Sequence, residues 1–379
     1  MLYNYFLLAV RNLKRQRGYT IVNTLGLATG IAAAMFILLY VFDELTFDQI
    51  HPQHATTYRM GYYAQFENGQ SESFPAVPAG WDNYIRDNYD DIGDITSYTS
   101  AGMPTSIYYP ANDKIVLTED IIWAEQNIDK VIYMPIIKGS STEPLKEINS
   151  IIMSKSAAYE LFGDEDPLNK LVSVSHTFMT NNQKIEMMVT AVYDDIPANS
   201  HIRPKYICNI LALKPFIENL ETLMMNSMGD TENNFFTQSL FVCNNESKIP
   251  LIVDDLQKKA NAIIERFNLN FKLKPLIQKI SNVHFDQEID WAINHKSADK
   301  KYIYVFITLA IMILLVACIN YINLATARSA SRARNRVAQN IWRHPLATLL
   351  SVHDRVIHTG ISVGAHCVVI DYHLHTSIQ

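Results

Sequence analysis

Residues 18–42 read GYTIVNTLGLATGIAAAMFILLYVF, 25 positions without a charge. A helix rises about 1.5 Å per residue, so about 20 apolar residues cross the hydrocarbon layer of a bilayer. This stretch is long enough. A second uncharged run, YIYVFITLAIMILLVACINYINLATA, covers 26 positions at 302–327. Arg11, Lys14, Arg15 and Arg17 precede the first run, and Arg328, Arg332 and Arg334 follow the second. No acidic residue precedes Asp43, and none lies between Asp299 and Asp354. Basic flanks stay in the cytoplasm, so these seven residues are expected to set the topology. The segment between the runs then lies outside the membrane.

The expected fold class is a membrane protein with two transmembrane α-helices flanking a mixed α+β extracytoplasmic domain. The expected divisions are a cytoplasmic or interfacial helix at 1–17, the first span at 18–42 and the outer domain at 43–301. The second span at 302–327 and a cytoplasmic segment at 328–379 complete them. The first run exceeds the 7–15 residues of a signal-peptide core, and Ala32-Ala33-Ala34 falls inside it, so it reads as an uncleaved anchor. Leu2 to Leu13 is amphipathic. It forms either an interfacial helix or an extension of the first span. Gly26, Gly30 and Ala34 recur every fourth position. Small residues at that spacing let a second helix approach closely in lipid, where packing drives association.

A mean hydropathy of -0.01 averages two greasy helices with an ordinary polar domain. The net charge of -6 argues against nucleic acid as a partner. Four cysteines are too few for a disulfide scaffold. Cys208 and Cys243 share the outer segment, and whether they pair stays open. Cys318 reads as a small packing residue in the second span. Thr57 to Phe66, Ile115 to Leu117 and Ile121 to Trp123 are rich in β-branched and aromatic residues and read as strands. Trp81 to Tyr89 reads as a helix. Ser154 to Phe162 does too, with Ser154 as N-cap and Gly163 as C-cap. Leu171 to Val174 and Lys184 to Tyr193 suggest a hairpin. Ile252 to Phe267 suggests a longer helix, followed by a strand at Phe271 to Pro275.

Chemistry is sparse. There is no GxxxxGK[ST] phosphate loop, HExxH or paired CxxC in the chain. Asp48, His51 and His54 offer metal-ligand atoms, but their place just after a helix end favours a capping and turn region. Asp164-Glu165-Asp166 and Asp194-Asp195 read as solvated turns. No nucleophile, base and oxyanion set can be assembled. No enzymatic activity, bound cofactor or metal is expected, and the spans lack the buried charges of an ion path.

Four strings together carry a family resemblance: AVRNLKRQRGYTIVNTLGLATGIAAAMFILLYVFDELTFDQIH at 9–51, LKEINSIIMSKSAAYELFGDEDPLNK at 145–170, VTAVYDDIPANSHI at 189–202 and LVACINYINLATARSASRAR at 315–334. Their order and spacing resemble FtsX-like permeases of ABC transporters with a MacB-like periplasmic core domain. The resemblance covers residues 1–334. It implies a chain of the bacterial cytoplasmic (inner) membrane that binds no nucleotide itself. An ABC-type ATPase subunit would use the ATP, and a second permease would complete a homo- or heterodimer. A periplasmic adaptor is a further implied partner. In that family, ATP-driven helix motion passes to the outer domains, a form of mechanotransmission. Substrates range from lipoproteins and antimicrobial peptides to macrolides and signals to cell-wall hydrolases.

The tail departs from this pattern. Residues 335–379 hold no Lys, Glu, Phe or Met, yet six of the twelve His. Trp342 is encoded by TGG, and every Arg codon begins with C or A. Reading one nucleotide later therefore gives glycine there, and the shifted frame accommodates IGLRKTYGGTRWQLFYQFMTESF, which resembles the missing family segment. The expectation is a truncated permease whose frame changes after Arg334. The competing class is a membrane-anchored extracytoplasmic sensor or adaptor without catalytic activity. That layout would carry a cytoplasmic signalling module or coiled coil after the second span, and the tail shows no heptads.

Overall fold

The computed structural model describes residues 3, 17–78, 80–100, 102–217, 235–268, 270–285 and 298–343. The helices are α1 (Arg17–Leu45), α2 (Trp81–Asn88), α3 (Ile128–Val131), α4 (Lys155–Phe162), α5 (Ile249–Phe267), α6 (Ile280–Val283) and α7 (Lys300–Arg343). The chain forms two compact units, 1–38 with 307–379, and Leu39–Phe306.

The first unit is helical. Ile21–Leu45 and Lys300–Asn323 are long and apolar enough to cross a membrane, and only 11% of each apolar window is buried. Phe36, Val22, Leu315 and Val316 stand exposed. A soluble protein would hide such helices in a core; lipid is the solvent that accepts them on all sides. The second helix is longer than the apolar run suggests. It continues to Arg343, past Arg334, so residues 335–343 are helical. The amphipathic stretch at 2–13 falls almost entirely outside the described residues, as does the His-rich chain beyond Arg343.

The second unit is one mixed sheet. Its strands are β1 (Thr57–Phe66), β2 (Ser71–Phe74), β3 (Ala76–Pro78), β4 (Ile92–Thr99), β5 (Thr105–Tyr109), β6 (Lys114–Thr118) and β7 (Ile121–Ala124). They continue as β8 (Ile136–Gly139), β9 (Ser150–Ser154), β10 (Leu171–Ser175), β11 (Ile185–Tyr193), β12 (Tyr206–Asn209), β13 (Phe235–Cys243) and β14 (Phe271–Lys279). The spatial order is β14-β1-β13-β4-β7-β12-β9-β11-β10-β5-β6, with β2, β3 and β8 as side partners. Pairs β7/β12 and β9/β11 are parallel. Between the two halves, β4 and β7 share only Tyr98↔Ala124 and Thr99↔Trp123.

Each half has its own apolar core. Ile252, Leu256 and Ala260 on one face of α5 join Trp81 and Ile85 of α2 against β1, β13 and β14. In the other half Ala157, Leu161 and Phe162 of α4 pack on Ile151, Met187 and Val189. A third cluster around Tyr98, Ile122, Ala124 and Leu240 fills the joint.

Local expectations fare well. Ser154 accepts from the Ala157 N–H at 3.3 Å and Gly163 ends α4 at φ 64°. The expected hairpin is the antiparallel pair β10/β11. The long helix starts three residues earlier than expected, at Ile249, because Pro250 suits a first turn whose N–H groups have no helical partner. The last strand runs on to Lys279 because β1 pairs with its whole length, Pro275 included.

Candidate functional site

The described part of the chain holds no assembled catalytic set. Its most concentrated polar construction is a neck beneath the outer domain, wholly inside the second unit. There α1 ends with the Thr46 N–H and hydroxyl both bonded to the Phe42 carbonyl, at 3.0 and 2.8 Å. Asp48 then turns the chain at φ 58°, a left-handed conformation that Asp tolerates better than most residues. Its N–H donates to the Asn199 carbonyl at 2.8 Å.

The fully buried Asp48 carboxylate is the hub. Its Oδ1 accepts from the Ser200 hydroxyl at 3.0 Å and the His201 N–H at 2.8 Å. Its Oδ2 accepts from His201 Nδ1. His51 Nδ1 accepts the Tyr133 N–H at 3.0 Å, so the proton sits on Nε2, which donates to Ser200 Oγ at 3.1 Å. Both ring nitrogens of His51 are thus engaged. The expected capping and turn region is present, and it is also a buried network whose other members lie between 82 and 153 residues away in sequence. Burial is the largest influence on Asp48 and pushes its carboxyl up. The hydrogen bonds and charge of His201, with the His51 ring 3.7 Å away, together outweigh it and hold the group well below the usual carboxylate range.

Aromatic rings continue the neck. Phe47 stacks on His284 with centroids 3.8 Å apart and planes 5° apart, and tilts against His201 at 4.5 Å. His284 Nε2 donates to Glu44 at 2.5 Å, tying α1 to the segment before α7. Tyr40 meets Phe306 edge-on at 5.4 Å.

A second polar construction lies at the joint. A crevice of about 640 Å³ opens at the carboxyl ends of the parallel strands β7 and β12, lined by Arg86, Glu125, Asn127, Lys130 and Lys146 among others. Glu125 accepts the Ser97 N–H at 3.0 Å, while the Ser97 hydroxyl donates to buried Asp82 at 2.7 Å. Burial first, then the Asp82 charge, pushes Glu125 up to about 7, against the Ser97 N–H and Arg86.

In the helical unit, a Cβ built on Gly30 would lie 2.6 Å from the Ala317 Cβ. One built on Gly26 would lie 3.2 Å from Asn320 Nδ2. Ala34, Ala310 and Ala317 are buried.

The family model of the MacB-like periplasmic core domain matches residues 20–240. The chain belongs to this family. Three solved structures are similar at low identity. A domain assigned to a permease protein from Porphyromonas gingivalis is 15% identical over 60% of this chain and 91% of that one, with a TM-score of 0.46. The periplasmic region of MacB from Actinobacillus actinomycetemcomitans is 12% identical over 61% and 91%, at 0.39. The extracellular domain of the noncanonic ABC-type transporter YknZ from Gram-positive bacteria is 13% identical over 58% and 99%, at 0.37. Among curated proteins, none matches the chain.

As a MacB-like chain, this is a membrane protein of an ABC transporter permease family with an extracytoplasmic domain. The neck gives two of its recognisable strings a shared physical purpose. FDQIH, at 47–51, supplies the hub, and NSH, at 199–201, supplies its donors. The sequence points to Asp48 and His51, and gives no sign of Ser200, His201, Glu44 or His284 as their partners. A polar Asn-Ser-His in an otherwise turn-like stretch was the available signal, but nothing local says what it faces. Arg17 opens α1, and Arg328, Arg332 and Arg334 fall within α7. Arg11, Lys14 and Arg15 lie outside the described residues. Cys208 and Cys243 are both free and buried. Cys318 is exposed on α7, a correction to its expected packing role: it faces away from the buried stripe one residue after Ala317.

Proposed function

We propose that this chain is a permease subunit of an ABC transporter in the bacterial cytoplasmic membrane, multi-pass, with the outer domain driven by a partner ATPase. The neck carries this reading. A buried, three-donor carboxylate one turn beyond a spanning helix makes that helix end and the base of the outer domain move together. Such a joint suits the transmission of helix motion better than the binding of a solute. Gly26, Gly30 and Ala34 serve as the helix-packing stripe, consistent with the close approach of Gly30 to Ala317. The basic residues on both flanks set the topology, with both ends cytoplasmic. No ATP is bound by the chain itself, and it is not an enzyme. A second permease completes the transporter, and a periplasmic adaptor is a further partner.

The segment after Arg334 is proposed to be read in a shifted frame, which removes the ATPase-contact region. The test uses the chain as it stands beside a version with the frame restored. Co-purification with a partner ABC-type ATPase is expected for the restored version only, and ATPase activity only in the complex. Docking and transport by the chain as it stands would refute the frame reading. The sensor or adaptor reading draws support from one observation, the continuation of α7 from Asn323 to Arg343 beyond its apolar window. It requires a signalling partner for that extension and no ATPase.

A further inference from the structure

We infer that β6 is the edge through which the outer domains of two copies of this chain pair, antiparallel about a two-fold axis at Val116. This rests on the proposed reading that two permeases associate, and names where they meet.

Strand β6 ends the sheet, and among the described residues it pairs with β5 alone. An open edge is a template for another strand, and folded proteins usually blunt it with Pro, a bulge or charge. None of these interrupts Ile115-Val116-Leu117. Instead Ile115 is 59% exposed and Leu117 is 71% exposed, both on the face opposite the core, while Val116 points inward at 8%. A continuous sheet keeps paired residues on the same face, so a two-fold pairing must match residues of equal parity. Centring on Val116 sets Ile115 against Leu117 of the second copy and Lys114 against Thr118. Both exposed aliphatic residues are then covered, and no like charges meet on the strand.

The ends are complementary too. Lys114 opens β6, and Glu119 and Asp120 follow it. Antiparallel pairing runs the basic start of one strand along the acidic end of the other. Lys114 Nζ also donates to the Glu160 carbonyl, and Asp120 pairs with Lys205 at 3.6 Å within the same domain, which leaves Glu119 as the acidic group facing the second copy. Asp113 would oppose Glu119, but it is turned back at φ 54° and accepts the Tyr108 hydroxyl at 3.1 Å within its own hairpin. A five-residue edge is far smaller than the roughly 1,200 Å² at the low end of stable interfaces. It suffices for chains already held together in one transporter, where forming the second contact is effectively intramolecular.

Site-directed disulfide trapping in membranes tests this, using the full chain with Cys318→Ser and Cys367→Ser. Two tagged versions, Ile115→Cys and Leu117→Cys, are expressed together and oxidised. Directly paired residues lie within disulfide reach, whereas same-residue pairs fall on the diagonal at roughly 7–8 Å. The mixed Ile115–Leu117 dimer should dominate, with both same-residue dimers lost or minor. Adding Val116→Pro to both chains should abolish it. A single chain carrying Ser106→Cys with Leu117→Cys should close internally, because those residues are partners across β5 and β6. If that control closes but no mixed dimer forms, or if all three dimers form equally, the inference is overturned. An amine-reactive crosslinker reports association independently. Association without the mixed disulfide sinks the β6 pairing alone; no association sinks the permease-pair reading with it.

Discussion

Asp48 in the neck and Glu125 at the joint are carboxyl groups withdrawn from water in one domain, and their environments push them in opposite directions. Asp48 receives three hydrogen bonds, from Ser200, the His201 backbone and the His201 ring. Glu125 accepts from the Ser97 N–H and sits beside the Asp82 charge. Burial alone would raise both. The number of donors aimed at the group, against the number of like charges near it, decides which carboxyl stays ionised. The neck therefore holds a permanent charge, and the joint holds a proton that comes and goes near neutral pH.

Five variants break or sharpen that contrast. The largest effect belongs to Asp48→Ala. Removing the hub leaves the Ser200 hydroxyl and the His201 backbone and ring without their shared acceptor, and stripping one partner from a buried network costs about 3–5 kcal/mol. Thermal unfolding of the purified chain in detergent should show it; a shift worth under 1 kcal/mol would mean the network is not structural.

Glu125→Gln comes next and acts through pH. The folded carboxyl is raised from 4.5 to about 7. Its contribution is therefore fully present below pH 4.5 and is lost as pH rises through 7, up to roughly 3 kcal/mol over that window. The Gln variant should unfold at a nearly constant temperature from pH 5 to 8 and exceed the parent at pH 8. A parent without that loss between pH 4.5 and about 7 would remove the contrast. Asp48→Asn gives the mirror image. A lowered carboxyl stabilises above its unfolded value, about 3.9, and that stability fades on acidification. The variant should lack the parent's steepening below about pH 4.

Fourth, Gly30→Leu places a side chain where a Cβ already falls 2.6 Å from that of Ala317. Overpacking of this kind costs about 1–3 kcal/mol. Crosslinking between α1 and α7 should fall while the neck is untouched; unchanged crosslinking would reduce the glycine repeat to composition. The smallest effect is Ser154→Ala, the loss of one N-cap, at about 1 kcal/mol. It should leave both pH profiles unaltered.

Lipid as solvent made the membrane helices legible from the sequence alone. A run of 25 uncharged residues has few alternatives, and basic flanks orient it without reference to anything distant. Caps and hairpins were legible for the same reason: Ser154, Gly163 and the alternation in β10 and β11 act over a few residues. The helical continuation past Arg334 was not, because that stretch lacks the apolar run on which the expected end was based. Nor were the single sheet, the two-pair joint or the hub at Asp48. The Ser200 hydroxyl and His201 ring reach Asp48 across 152 and 153 positions of sequence. Such contacts depend on loop closure and on the packing of three separate cores, so only the tertiary structure could decide that a turn after a helix would become a buried charge with three donors.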